Sequence, residues 1–273
     1  MLKKLLTQSF LQRTISAVFL VIIIAAMLIL GGNVLLAFLA AISLIGMSEL
    51  YRIWDIHKAP LGILGYLAAV IYYAMLHLNK SENWLALTFA LVVLLMAVYV
   101  LSYPKYKIDA VMVSLFGFFY VAVMLSCIYR IRQLNSGIYL VWMVFVCSWI
   151  SDTFAYLVGV TMGKHKFVPR LSPKKTIEGV IGGIVGAALV GAIYGLILEK
   201  FTDIESAVVM CTVIGGVGSV VSQIGDLAAS AIKRNYDIKD YGKLIPGHGG
   251  ILDRFDSVIF VSPIIFYLCT FIV

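Results

Sequence analysis

Apolar blocks of roughly 20 residues follow one another along this chain, each closed by a short stretch of charge, Gly or Pro. That is the length an α-helix needs to cross a hydrocarbon core of about 30 Å. A backbone in lipid must satisfy its own hydrogen bonds, and the roughly ten-residue alternation of a membrane barrel is absent, so the blocks read as helices. The pattern places nine of them, at 15–31, 34–53, 60–77, 84–102, 110–129, 137–160, 177–198, 206–232 and 251–273. The expected fold class is therefore all-α, a polytopic integral membrane protein. The sixth and eighth blocks are the least clean, since Asp152 and Asp226 sit well inside them.

Composition agrees with lipid as the solvent for most of the chain. Of 273 residues, 62% are hydrophobic and 13% charged, and the mean hydropathy of +1.02 excludes an ordinary soluble globular domain. The first block follows Lys3, Lys4 and Arg13 but is too long for a signal peptide, and no small-residue cleavage site follows it, so it reads as a retained anchor helix. Cys127, Cys147, Cys211 and Cys269 all fall inside apolar runs without metal-type spacing, which makes them packing residues.

Charge orients the helices. With a cytoplasmic N-terminus, only Lys80, Arg130, Arg132 and Lys200 of the 21 Lys and Arg residues lie outside. This asymmetry predicts N-terminus in and C-terminus out. The net charge of +7 then follows mainly from topology, with basic loops meeting anionic lipid, and calls for no nucleic-acid partner.

The two halves differ in character. Residues 1–136 carry few ionisable groups inside their helices and read as scaffold, with room for dimer contacts; residues 137–273 gather intramembrane Asp, Ser and Tyr, two long basic loops and most of the glycines, and read as the catalytic part. Gly179 with Gly183, Gly182 with Gly186, and Gly191 with Gly195 repeat at spacing four, the mark of close helix packing in lipid.

Candidate chemistry starts at Ser222, Asp226 and Ser230, which at i, i+4 and i+8 share one helix face. Asp226 lies roughly 12 Å from the cytoplasmic end at 1.5 Å per residue. A carboxylate so deep lines a wet cavity, holds a cation or bonds a neighbouring helix. Beyond it come Lys233-Arg234, Lys239-Asp240, Gly242-Lys243, the tight turn Pro246-Gly247-His248-Gly249-Gly250, and Asp253-Arg254-Phe255-Asp256. Exposed N–H groups at Gly249 and Gly250 can cradle phosphate oxygens. His248 suits a phosphate contact or a proton donor. Asp253 and Asp256, at i and i+3, open the ninth helix on one face near the layer of Asp226. Three carboxylates among Lys and Arg suit Mg²⁺-dependent phosphoryl or nucleotidyl transfer, or else a metal-free salt-bridge network. Upstream, Ser151, Asp152 and Tyr156 precede Ser172-Pro173-Lys174-Lys175-Thr176 and Glu178, where two lysines beside two hydroxyls suit a phosphate or lipid head group. Gly163-Lys164 lacks the spacing of a Walker motif.

The stretch Ser230 to Asp256, SAIKRNYDIKDYGKLIPGHGGILDRFD, resembles the signature of the phosphatidate cytidylyltransferases, or CDP-diacylglycerol synthases. The resemblance extends through Ser151-Asp152, Ser172 to Gly179, and Ser222 to Asp226, about residues 145–260, while the N-terminal half resembles that family only in being hydrophobic. It implies transfer of CMP from CTP to phosphatidic acid, giving CDP-diacylglycerol and pyrophosphate. It also implies dependence on Mg²⁺, assistance by a monovalent cation such as K⁺, a homodimer, and a site on the cytoplasmic face of a bacterial inner membrane. On that reading Asp226, Asp253 and Asp256 are the metal ligands, and Lys233, Arg234, Lys239 and Arg254 hold the triphosphate. Lys174 and Lys175 take the lipid head group and His248 the leaving pyrophosphate, with Asp152, Ser172, Thr176, Ser222, Ser230 and Asp240 as further substrate contacts. Two other functions share these residues. A CTP-dependent polyprenol or phytol kinase uses the same cation and phosphates, and a cation-coupled transporter fits Asp152 and Asp226 within helices, although no internal repeat supports it.

Overall fold

A computed structural model of the protein describes residues 8–202, 204–245, 247 and 249–272; for residues 8–13, Ser81 and Ile272 only the backbone is described. Pro246 and His248, both in the glycine-rich turn, lie outside the described residues, as do Lys3 and Lys4.

The chain folds into helices α1 (Gln8–Leu30), α2 (Gly32–Arg52), α3 (Pro60–His77), α4 (Trp84–Leu101), α5 (Ile108–Arg132), α6 (Gly137–Thr161), α7 (Ile177–Phe201), α8 (Ala207–Asn235) and α9 (Leu252–Ile272). Eight of these, α2 to α9, are long and apolar enough to cross a membrane, and α1 adds the shorter apolar stretch Thr14–Leu30. The protein is thus an all-α polytopic integral membrane protein, with element boundaries close to those the hydropathy pattern predicts. One element departs from that pattern. Between α6 and α7 the basic loop forms an antiparallel hairpin, β1 (Lys166–Val168) with β2 (Ser172–Thr176), pairing Lys166 with Thr176 and Val168 with Ser172. Strands this short carry no readable period-two alternation, so backbone pairing alone reveals them.

Two compact units emerge. The first takes the residues up to Tyr129 together with Asp240–Arg254; the second takes Arg130–Lys239 and the residues from Phe255 on. Segment 240–254, which follows α8 in sequence, therefore belongs with the N-terminal helices.

Within the first unit, hydroxyl bonds between helices supplement apolar packing. Tyr51 donates to the Ser114 carbonyl at 2.6 Å, the Ser114 hydroxyl to the Leu61 carbonyl at 2.6 Å, and Ser43 and Tyr73 share a bond of 2.8 Å. Such bonds are worth about 1 kcal/mol each in a membrane protein.

In the second unit, glycines on α7 let α6 and α8 approach. A Cβ on Gly183 would lie 2.9 Å from the Ser151 carbonyl oxygen of α6, and one on Gly195 2.6 Å from the Ala207 carbonyl oxygen of α8. The spacing-four glycines are the surface on which the three helices pack. Thr176 starts α7 as an N-cap, its hydroxyl accepting the Gly179 N–H at 3.1 Å. A π-turn at Val146–Ile150 runs straight into Ser151 and Asp152. Such insertions re-aim the residues that follow them and recur at functional sites.

Candidate active site

In the second unit a cavity of about 450 Å³ is lined by Asp152 and Tyr156 of α6, Lys174, Lys175 and Thr176 of β2, and Gln223 of α8. The hairpin carries the two lysines to the mouth of the helices. Its base is fixed by Glu178, which accepts the His165 N–H and bonds the His165 ring through Nδ1 at 2.7 Å.

Lys175 Nζ reaches Asp226 Oδ2 at 2.6 Å, with the two side chains only 21% and 31% exposed. The pair gives Asp226 a counter-ion within a helix that is otherwise largely apolar, where an isolated carboxylate is costly. Asp256, on α9, is buried, and its Oδ1 accepts the Ser257 N–H at 2.7 Å. It lies within electrostatic reach of Asp226, Lys233 and Asp152. Three carboxylates thus share one neighbourhood with Lys175 and Lys233.

Ser222 is buried one turn from Asp226, and its hydroxyl has no partner among the described residues. Gln223 beside it donates through Nε2 to the Val180 carbonyl at 3.2 Å and leaves Oε1 unpartnered among the described residues. Gln223 lines the cavity, so its left-over oxygen is available to something that enters there. Sequence reasoning passed over Gln223; the signal was its place between Ser222 and Asp226. Ser230 is half-buried and Arg234 exposed on the same helix, Lys239 is exposed beyond its end, and Ser172 opens β2 outside the cavity lining.

The first unit holds the rest of the signature segment. Asp253, buried, accepts the N–H groups of Tyr241 at 2.8 Å and Gly250 at 3.0 Å through Oδ2. Glu49 of α2, also buried, accepts those of Ile251 at 3.1 Å and Leu252 at 2.8 Å. The two carboxylates brace the turn from either side. Gly250 is glycine for a steric reason, since a Cβ there would lie 2.5 Å from the Glu49 carboxyl carbon. Its N–H is already given to Asp253. Gly249 holds a φ of 83°, in the left-handed region that favours glycine, while its carbonyl accepts the Ile245 N–H at 2.9 Å. Asp240 is exposed beside Gly249, and Arg254 is half-buried with a buried Nε that lacks a partner among the described residues. Glu49 is missing from the sequence reading, although a carboxylate inside an apolar helix is itself a flag.

Among the described residues no group of three or more His, Cys, Asp or Glu side chains has the arrangement of a metal cage. Mg²⁺ does not require one. It usually takes one or two carboxylates, with substrate phosphate oxygens and waters completing the octahedron. Asp226 and Asp256 are hard oxygen donors of that kind, so the residues fit this ion.

Comparison with known proteins bears on the same residues. The model of the cytidylyltransferase family matches residues 11–272. Proteins named phosphatidate cytidylyltransferase are similar over nearly the whole chain. That of Staphylococcus saprophyticus is 32% identical over 258 residues, covering 93% of this chain and 96% of its own. Those of Staphylococcus epidermidis and Staphylococcus aureus are 33% identical with the same coverage. The similarity thus spans the N-terminal helices as well as the signature segment, and the chain belongs to the cytidylyltransferase family.

Proposed function

We propose that this protein is a nucleotidyltransferase that moves CMP from CTP to phosphatidic acid, giving CDP-diacylglycerol and pyrophosphate in phospholipid synthesis. One observation carries the reading. Lys175, which lines the cavity of the second unit, meets Asp226 within electrostatic reach of Asp256, Asp152 and Lys233. Carboxylates and amines interleaved at a cavity mouth match a reaction whose substrates are both phosphates.

The bond that forms joins a phosphatidic acid phosphate oxygen to the α-phosphorus of CTP; the bond that breaks links that phosphorus to the β-phosphate. The attacking oxygen is anionic near neutral pH, so no strong general base is required. What the chain contributes is positioning and charge neutralisation. Lys174 and Lys175 would hold the lipid phosphate, and Lys233 and Arg234 the triphosphate. Asp226 and Asp256 would hold Mg²⁺, which when bound neutralises phosphate charge and polarises the reacting phosphorus. Asp253 serves by keeping the signature turn in shape. A monovalent cation such as K⁺ and a second copy of the chain are expected to assist. The charge asymmetry of the loops supports a site on the cytoplasmic face, where CTP would arrive from water and phosphatidic acid from the inner leaflet.

The competing lipid-kinase reaction differs in its small product. Purified protein given CTP and phosphatidic acid should release pyrophosphate, and only when both are present. Release of CDP would assign it to phosphoryl transfer instead.

A further inference from the structure

A larger cavity, of about 920 Å³, is built wholly from the first unit. Its lining changes character with depth. Arg52 ends α2, His57 and Lys58 occupy the connection to α3, and Lys243 comes from the signature segment, so the basic groups gather at one end. Further along the same helices the wall is apolar, with Leu44 and Ile45 on α2 and Leu67 and Val70 on α3. Leu44 lies two helical turns from Arg52, about 12 Å at 1.5 Å per residue. Ile45, Leu67 and Val70 are exposed, although a close-packed interior would cover them.

Charge in this cavity is unbalanced. The one acidic residue of its lining, Glu49, already accepts the N–H groups of Ile251 and Leu252. Among the described residues no ion pair within salt-bridge distance uses Arg52, Lys58 or Lys243, although Arg52 lies within electrostatic reach of Glu49, and the buried Nδ1 of His57 has no partner. A cluster of cations at the membrane boundary above an apolar groove matches a molecule with an anionic head and an acyl tail. Basic pockets between membrane helices bind phospholipid head groups in this manner.

We propose that Arg52, His57, Lys58 and Lys243 hold the phosphate of an anionic glycerophospholipid whose acyl chain lies along Leu44, Ile45, Leu67 and Val70. The occupant is a lipid and not a free phosphate, because the lining carries Leu44, Ile45, Leu67, Val70 and Leu244, all but Leu44 exposed. The site is independent of cytidylyl transfer, so it is tested with phosphatidylglycerol, whose phosphate is already a diester and is not the acceptor in that reaction.

Native mass spectrometry of the full chain, purified without CTP, counts the lipid that survives stepwise delipidation. The wild-type protein should retain phosphatidylglycerol about tenfold or more tightly than phosphatidylcholine. The Arg52→Gln, Lys58→Gln, Lys243→Gln triple variant should lose that preference, Lys58→Gln alone should weaken it, and Lys107→Gln in another loop should keep it. Lys58 is exposed, so its single variant reports binding even if the triple variant folds poorly. Deacylated glycerophosphoglycerol should not displace the lipid. Equal retention of the two lipids, retention unchanged in Lys58→Gln and the triple variant, or displacement by the deacylated head group would each overturn the proposal.

Discussion

Asp226 sits where a carboxylate needs a cation, and Lys175 supplies one at 2.6 Å. The pair makes a paired site of what would otherwise be an isolated intramembrane charge. Asp226→Asn keeps the shape, removes the charge and leaves Lys175 without its counter-ion. Turnover should fall by about a hundredfold or more, in line with the loss of a metal ligand or a transition-state charge contact. Size-exclusion elution and helix content should stay as in the wild type; near-normal turnover would remove Asp226 from the chemistry. Both partners are singled out by the sequence, Asp226 by depth in a helix and Lys175 by its basic neighbours. Their meeting is not legible there, because no local spacing links a hairpin strand to a helix so distant in the chain. Thr176 carries a role that the sequence did not single out. A hydroxyl beside two lysines resembles a phosphate contact, and besides lining the cavity it caps α7. Thr176→Val should cost about 1 kcal/mol of stability, read as a lowered midpoint of thermal unfolding.

Helices and turns carry the next layer. The glycine spacing of α7 is legible because small residues four apart can only form a face, and α6 and α8 occupy that face through Gly183 and Gly195. Gly183→Leu would drive a side chain into the Ser151 carbonyl. It should destabilise the second unit by about 1–3 kcal/mol or prevent its assembly, seen as aggregation on size exclusion. The signature turn was harder to read. Its glycines suggest a phosphate cradle, but at Gly250 the constraint is the Glu49 carboxylate, and Glu49 comes from the half of the chain that reads as scaffold. Glu49→Gln would replace one accepting oxygen with an amide donor that faces a backbone N–H. The expected loss is about 1–3 kcal/mol of local stability, with faster amide exchange at Ile251 and Leu252. Exchange unchanged at those two positions would show that the turn is held by other contacts.

For the molecule as a whole, hydropathy made the helices legible because lipid allows little but apolar helices, and the π-turn at Val146–Ile150 and the hairpin were hidden because they alter backbone pairing without altering hydropathy. Orientation rests on loop charge and is open to direct measurement. Cys127, Cys147, Cys211 and Cys269 are all buried, so background labelling should be low. In intact spheroplasts a membrane-impermeant maleimide should label Lys80→Cys and spare Lys105→Cys, and the reverse should hold in inside-out vesicles. The transfer reaction itself is tested most directly by the fate of α-labelled CTP incubated with purified protein and phosphatidic acid, with and without Mg²⁺. The label should enter the organic phase as CDP-diacylglycerol and disappear from it when Mg²⁺ is chelated. Label that stays in the aqueous phase, or lipid labelling that persists without the metal, would contradict cytidylyl transfer at a carboxylate site.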